Sequence, residues 1–320
     1  MCGSFVLNNQ LRFQGNALFG MVGILCGAVL NIALDPLLIF TFDLGVAGAA
    51  IATAVSQTVS FFVLLVMSGL SDGIKMRLKN ITLSSRLLLE IFRGGIPSLC
   101  RQGLASVGGI FLNNVAGNYS DAMVAAYAIV QRIMMFAFSA VIGFGQGFQP
   151  VCGFNYGAGK WQRVKKAFWF CVRFSGIFLV VFSVVAFVFA PQAVGIFQDN
   201  DAEVLRWGTV CMRYQLVTFP LMSWIVMSNM MTQTIGKAGK ASFLAMSRQG
   251  LMLVPMLLVL PKLFAETGLA LCQPVSDLLT FACAVPLQIS ELKELDRKTR
   301  EDESDARTIG TDVTAQDNSI

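Results

Sequence analysis

Long apolar runs, broken by short polar or Gly/Pro-bearing segments, dominate the chain. A helix needs about 20 apolar residues to cross a bilayer. On that measure the pattern predicts eight spans at roughly 16–42, 45–69, 92–117, 122–150, 166–190, 203–232, 240–262 and 267–289. Two of them are weakened by polar interruptions: 203–232 by Arg206, Arg213 and Gln215, and 240–262 by Arg248-Gln249. Residues 1–15 read as the end of a helix and a loop, and residues 70–91 as a linker. Residues 81–93 have the pattern of a short amphipathic helix on the membrane surface. From residue 290 onward charges of both signs are dense, so 290–320 is expected to be a solvated tail, helical for a turn or two and then disordered. The expected fold class is an all-α polytopic membrane protein.

Composition agrees. Of the 320 residues 55% are hydrophobic and only 13% are charged, against about 25% charged in soluble domains. The charges also fix an expected orientation. One set of loops carries Arg12; Lys75, Arg77, Lys79, Arg86 and Arg93; Lys160, Arg163, Lys165 and Lys166; and Lys237 with Lys240. The opposite loops carry Asp43, Asp121, Asp199, Asp201 and Glu203, with a single Lys262. The positive-inside rule then places both termini in the cytoplasm, in a plasma or bacterial inner membrane. The net charge of +5 lies in those loops on one side, so the bilayer is the expected partner and nucleic acid is not.

Histidine is absent, which removes the commonest proton shuttle and metal ligand. The eight cysteines are scattered singly with no CxxC spacing, and no metal site or cofactor is expected. No P-loop, Gly-x-Ser-x-Gly or dinucleotide fingerprint is present, and no paired acids or nucleophile–base arrangement suggests an enzyme. Uphill transport by such a chain would draw on an ion gradient.

The most informative residue is Asp35, within the apolar run Gly27-Ala-Val-Leu-Asn31-Ile-Ala-Leu-Asp35-Pro36. An intramembrane carboxylate is costly and usually marks an ion or substrate pathway. Asn31 lies one turn earlier on the same face. Counting eight residues back from Asp43 reaches Asp35, and eight forward from Gly45 reaches Thr53. In an antiparallel hairpin those two share a depth. Asn31, Asp35 and Thr53 are therefore the candidate site for a monovalent cation or a proton, with Pro36 bending the helix nearby.

Further polar side chains, Arg101, Gln102, Asn113, Gln131, Arg132, Gln146, Gln149, Asn155 and Gln233, are candidate lining of a wet cavity. Arg132 and Asp277 are a candidate ion pair. Met134-Met135-Phe136-Ala-Phe138 and Met227-Ser-Asn-Met230-Met231 could contact varied apolar cations or face lipid.

A weak internal echo links Asn9-Gln-Leu-Arg-Phe-Gln-Gly15-Asn-Ala, before one span, to Met231-Thr-Gln-Thr-Ile-Gly236-Lys-Ala, before another. Gly45-Val-Ala and Gly268-Leu-Ala follow the respective outer loops, as in a parallel repeat. Asn9-Gln-Leu-Arg-Phe-Gln-Gly-Asn16, Gly27-Ala-Val-Leu-Asn-Ile-Ala-Leu-Asp-Pro36 and Gly45-Val-Ala-Gly-Ala-Ala-Ile-Ala-Thr-Ala-Val-Ser-Gln57, with Gly95-Ile-Pro-Ser-Leu-Cys-Arg-Gln102 and Gly145-Gln-Gly-Phe-Gln-Pro-Val-Cys-Gly-Phe-Asn-Tyr-Gly-Ala-Gly159, resemble the multidrug and toxic compound extrusion (MATE) transporters, in the bacterial DinF-like branch. The resemblance covers about residues 1–290. It implies a twelve-helix protein of two six-helix lobes, monomeric when complete. Such a protein exports cationic or amphipathic compounds in exchange for Na⁺ or H⁺.

On that architecture 16–69 are the last two helices of the N-terminal lobe and 92–289 the whole C-terminal lobe, with about four helices lacking. The branch's cation site matches Asn31, Asp35 and Thr53, while the aspartate of the family's first helix has no counterpart here. Two other readings stay open. One is a lipid-linked oligosaccharide flippase of the same superfamily, favoured by Arg101, Arg132, Arg213 and Arg248; the other is a non-transporting fragment.

Overall fold

The computed structural model describes residues 2–71, 84–198 and 201–317; the side chains of Arg93, Pro97, Arg101, Gln249, Glu303 and residues 305–317 lie outside that description. The basic loop at Lys75, Arg77 and Lys79 and the acidic Asp199 fall outside it too. The described residues form helices and connecting turns: α1 (Cys2–Phe13), α2 (Ala17–Pro36), α3 (Gly45–Leu70), α4 (Ser85–Gly117), α5 (Asp121–Gly157), α6 (Trp161–Val188), α7 (Ala190–Gly195), α8 (Ala202–Thr218), α9 (Met222–Thr234), α10 (Ala238–Met246) and α11 (Leu253–Asp317). π-helical turns extend α2 over Leu37–Thr41 and α10 over Ser247–Leu251.

Among the described residues six helices are long and apolar enough to cross a membrane. The difference from the eight expected spans has two sources. Arg101, Gln102 and several glycines dilute α4, the expected span 92–117. The segment 253–302 joins the second half of the expected span 240–262 to the whole of 267–289. The helix breaks at Ala265 (φ 49, ψ −129), and its halves fold back on each other, with Cys272 Sγ 3.4 Å from Met256 O. Tyr119 and Tyr127 donate to the carbonyls of Pro261 (3.0 Å) and Leu269 (2.6 Å), on either side of that break.

Two compact units divide at Ser84/Ser85. In the first, α2 and α3 meet through small residues. Gly20, Gly23 and Gly27 of α2 are buried, as are Gly48, Ala52, Ser56, Ser60, Leu64 and Ser68 of α3. Those α3 positions recur every four residues, one per turn of a single helical face. Small side chains let helix backbones approach closely inside a membrane. A Cβ on Gly27 would stand 2.7 Å from Ser60 Cβ and 3.1 Å from Ser56 O. Gly27→Val should therefore destabilise the protein by about 1–3 kcal/mol through overpacking. Gly69→Ala, with nothing near its Cβ, should be neutral or stabilising by up to about 1 kcal/mol. Thermal unfolding in detergent checks both, and equal midpoints for the two variants would contradict the packing argument.

The second unit is a bundle in which α5 packs on α6, α8 and α9, and α10 on α4 and α9. Its centre is filled by Met123, Tyr127, Phe168, Leu179, Met212, Leu216, Met222, Met227 and Met231, each nearly inaccessible. The rings of Phe168 and Trp169 pack edge-to-face around Trp224, each 5.6 Å from it.

The internal echo is a structural repeat. Gly15 (φ 86) and Gly236 (φ 80) end α1 and α9 in left-handed conformation, where glycine carries no Cβ penalty. In each case the glycine N–H bonds three residues back and the next N–H five residues back: Gly15 to Arg12 and Asn16 to Leu11, Gly236 to Gln233 and Lys237 to Thr232. Asn8 Nδ2 donates to Gly20 O at 2.9 Å and Asn229 Nδ2 to Ala241 O at 2.8 Å, each 12 residues on. The residue after the glycine then grips the end of the following hairpin. In the first unit this is neutral, Asn16 to Ser71 Oγ at 2.6 Å. In the second it is ionic, Lys237 to Glu291 at 2.6 Å.

That ionic end corrects two expectations. The tail, expected to stay helical for only a turn or two beyond residue 290, continues as helix in α11 to Asp317. Glu291 is 2% exposed and holds both Lys237 and Lys240. Lys298 binds Glu294 and the Tyr156 hydroxyl, and Lys165 binds Asp296. Burial pulls the Lys237 ammonium down, but its hydrogen bonds and charges from Glu291 and Glu294 outweigh that and hold its pKa above the ordinary lysine value. The amphipathic helix expected at 81–93 is, over its described part, the start of α4 and continuous with the span that follows. Residues 81–83 lie outside the described residues.

Candidate functional site

Asp35 and Asn31 sit on α2, both half-buried, with Asn31 Nδ2 3.3 Å from Asp35 Oδ1. That distance is long for an amide–carboxylate hydrogen bond, so the acid is only loosely held. The backbone beside it is irregular. Pro36 offers no N–H to Ile32 O. The N–H of Leu37 turns to Leu34 O, and Phe42 N–H reaches Leu37 O at 3.1 Å, the wide spacing of a π-turn. The helical ladder is thus interrupted within one turn of the carboxylate, a placement common at functional sites.

Thr53, expected to join this pair, is exposed and donates to its own helix at Ala49 O, 2.9 Å away. Among the described residues it contacts neither Asn31 nor Asp35. Instead α3 turns Ala52 and Ser56 toward α2, and Thr53 lies about 100° around the helix from Ala52. The structure brings two of the three residues together.

Of the candidate cavity residues, Gln102 and Asn113 on α4 and Gln131 and Arg132 on α5 are exposed, while Gln146, Gln149, Asn155 and Gln233 are half-buried. Asn155 donates to Val151 O within its own helix, and Gln233 to Ser98 Oγ. The Arg101 side chain lies outside the described residues. These groups give α4 and α5 open polar positions rather than enclosing a chamber within the second unit. Met227, Met230 and Met231 are core residues instead of a binding surface. In the other Met/Phe cluster Met134 is buried, whereas Met135 and Phe136 are 68% and 81% exposed.

The expected Arg132–Asp277 pair is also corrected. Asp277, 2% exposed, accepts from Arg248 Nε at 3.0 Å and from Gln273 Nε2 at 3.0 Å. Ser276 Oγ donates to Arg248 O at 2.7 Å, and the Arg248 guanidinium lies 5.1 Å from the Phe138 ring centre. Arg248 belongs to the π-turn after α10. The signal for this network was Gln273 one turn before the single acid of 267–289, but the cation's identity could not be read. Each unit thus carries one intramembrane aspartate close to a π-turn, half-open in the first and neutralised by arginine in the second.

Comparison with known proteins bears on the whole chain. The family model described as MatE matches residues 97–258. A multidrug export protein MepA of Staphylococcus saprophyticus is 32% identical over 266 residues, covering 83% of this chain and 58% of that protein. The MepA of Staphylococcus aureus strain MSSA476 is 30% identical over 266 residues, covering 82% and 58%. The chain therefore spans 58% of the length of these relatives. Among solved structures, an outward-facing multidrug resistance MATE family transporter of the MOP superfamily aligns with TM-score 0.85 at 24% identity, over 92% of this chain and 66% of that one. A MATE crystal structure in complex with MaL6 aligns equally well, with TM-score 0.85 and 24% identity over 92% and 67%. At that identity these structures establish the fold.

Proposed function

This chain belongs to the MATE family, and from that premise we propose that it forms most of a secondary transporter exporting cationic or amphipathic compounds in exchange for Na⁺ or H⁺. The observation that carries the reading is the Asn31–Asp35 pair. Here a half-buried carboxylate in an apolar helix has, among the described residues, a single loosely placed neutral partner. Such a group is stabilised by taking a proton or a small cation. Charge neutralisation next to the interrupted ladder at Pro36 and Leu37–Thr41 supplies a local switch. Occupied and empty states would favour different helix bends, and so bias an alternating-access equilibrium. Arg248 already neutralises Asp277, which leaves Asp35 as the acid available to the ion. The lysine-rich loops face the cytoplasm on this reading, with both termini on that side.

The test is transport by the full-length protein in proteoliposomes with Na⁺ and H⁺ gradients imposed separately. One of the two gradients, outwardly directed, should drive uptake of a fluorescent lipophilic cation into the vesicles as the ion leaves. Transport indifferent to both gradients would refute the antiport reading.

A further inference from the structure

Beyond its transport role, we propose that the lysine-bearing end of α6 binds one anionic two-chain phospholipid, with Lys166, Arg173 and Arg300 around its phosphate. The place is a groove of about 940 Å³ between the start of α6 and the 296–300 stretch of α11. Its upper wall carries Lys165, Lys166, Arg173 and Arg300 against one carboxylate, Asp296. Lys165 lies 2.8 Å from both oxygens of Asp296, so that acid is already matched. Among the described residues no carboxylate pairs with Lys166, Arg173 or Arg300. The groove therefore keeps an excess of positive charge.

Apolar side chains make up much of the remaining lining. Trp169, Phe170, Phe174 and Ile177 follow one another along α6, with Phe170 65%, Phe174 49% and Ile177 65% exposed. Helical side chains lean toward the helix N-terminus. Arg173, about 18 Å along the axis from Trp161, leans back over Trp169, its guanidinium carbon 5.8 Å from the ring centre. An arginine can in this way lay its stem on apolar surface and deliver its charge to the interface.

A second groove, about 800 Å³, borders the other flank of the same lysine. Lys166 and Phe170 line both, and Phe144, Phe148 and Val151 continue the second one along α5. The rings of Phe170 and Phe174 stack at 6.1 Å, and Phe144 closes on Phe174 at 4.9 Å, forming an aromatic ridge between the two channels. One basic head flanked by two apolar channels matches one phosphodiester with two acyl chains. An ordinary lipid annulus needs only the apolar surface; unmatched cations at the head of paired grooves are what select an anionic headgroup.

Native mass spectrometry of the full-length protein, with phosphatidylglycerol and phosphatidylcholine of identical chains, tests this. The protein should retain one phosphatidylglycerol in preference to phosphatidylcholine. Lys166→Gln should weaken retention roughly fivefold, and Lys166→Gln with Arg173→Gln roughly thirtyfold, at the usual surface contribution per cation. Arg163→Gln, on α6 but outside both grooves, should change nothing, and the melting temperature reports whether each variant folds. Should the double variant fail to fold, Lys166→Gln alone decides. Lysophosphatidylglycerol should bind more weakly, and millimolar inorganic phosphate should not displace the lipid. Equal retention of the two lipids, or unchanged retention in a folded Lys166→Gln protein, overturns the site. Displacement by free phosphate, or full-strength lysolipid binding, overturns the two-chain mode.

Discussion

Asp35→Asn, made in the full-length protein, should reduce gradient-driven efflux to background while leaving membrane insertion and thermal stability nearly unchanged. The substitution keeps size and shape but removes the charge that a proton or cation would neutralise. Moving a two-state equilibrium from 1:99 to 99:1 takes about 10⁴-fold differential affinity of a ligand for the two states. A neutral amide supplies little of that for a cation and none for a proton. Stability should hardly move, because the carboxylate's one described hydrogen bond, from Asn31 at 3.3 Å, is long. A bond of that kind contributes at most about 1 kcal/mol. Efflux assays in cells, with protein level checked by immunoblot, provide the readout. Asn31→Ala should fall between wild type and Asp35→Asn, since the amide orients the acid without carrying charge.

The second large effect concerns stability. Asp277→Ala should destabilise the protein by about 3–5 kcal/mol, because it strands Arg248 as an uncompensated charge among helices. Arg248→Met should cost less. A carboxyl group left alone can take up a proton, whereas a guanidinium cannot lose one. Combining Arg248→Met with Asp277→Leu should recover most of the loss, since an apolar pair of similar volume often replaces a buried ion pair at little cost. Denaturant or thermal unfolding in detergent would rank the three variants. Equal losses in the two single variants, with no recovery in the double, would show that the pair is not the source of the effect.

Much of the fold was legible in the sequence. Span length follows from bilayer thickness, and runs such as 45–69 and 166–190 left little freedom. The repeat was legible through Gly15 and Gly236, because a left-handed residue at a helix end favours glycine. Rotation about each helix axis was much less legible. Thr53 was expected beside Asp35 but lies off the flank of α3 that meets α2, since sequence spacing yields an expected height and not a rotation. The same blindness paired Asp277 with Arg132. A π-turn over Ser247–Leu251 changes the direction of Arg248, and no local signal in the sequence announces such a turn. The charged segment after residue 290 was misread for another reason. Its composition is that of a solvated chain, but Glu291 and Glu294 find Lys237 and Lys240 more than 50 residues away, and those contacts extend the helix.

In the proposed cycle Asp35 binds the coupling ion. The direct measurement is substrate-driven ion flux in proteoliposomes, followed by a lumenal pH dye and by a Na⁺ indicator, for the full-length protein and its Asp35→Asn variant. With Asp35 present, one of the two ions should move opposite to the exported cation; with Asp35→Asn neither should, although substrate still binds. Ion flux of normal size in the variant would place the coupling site elsewhere and contradict the account.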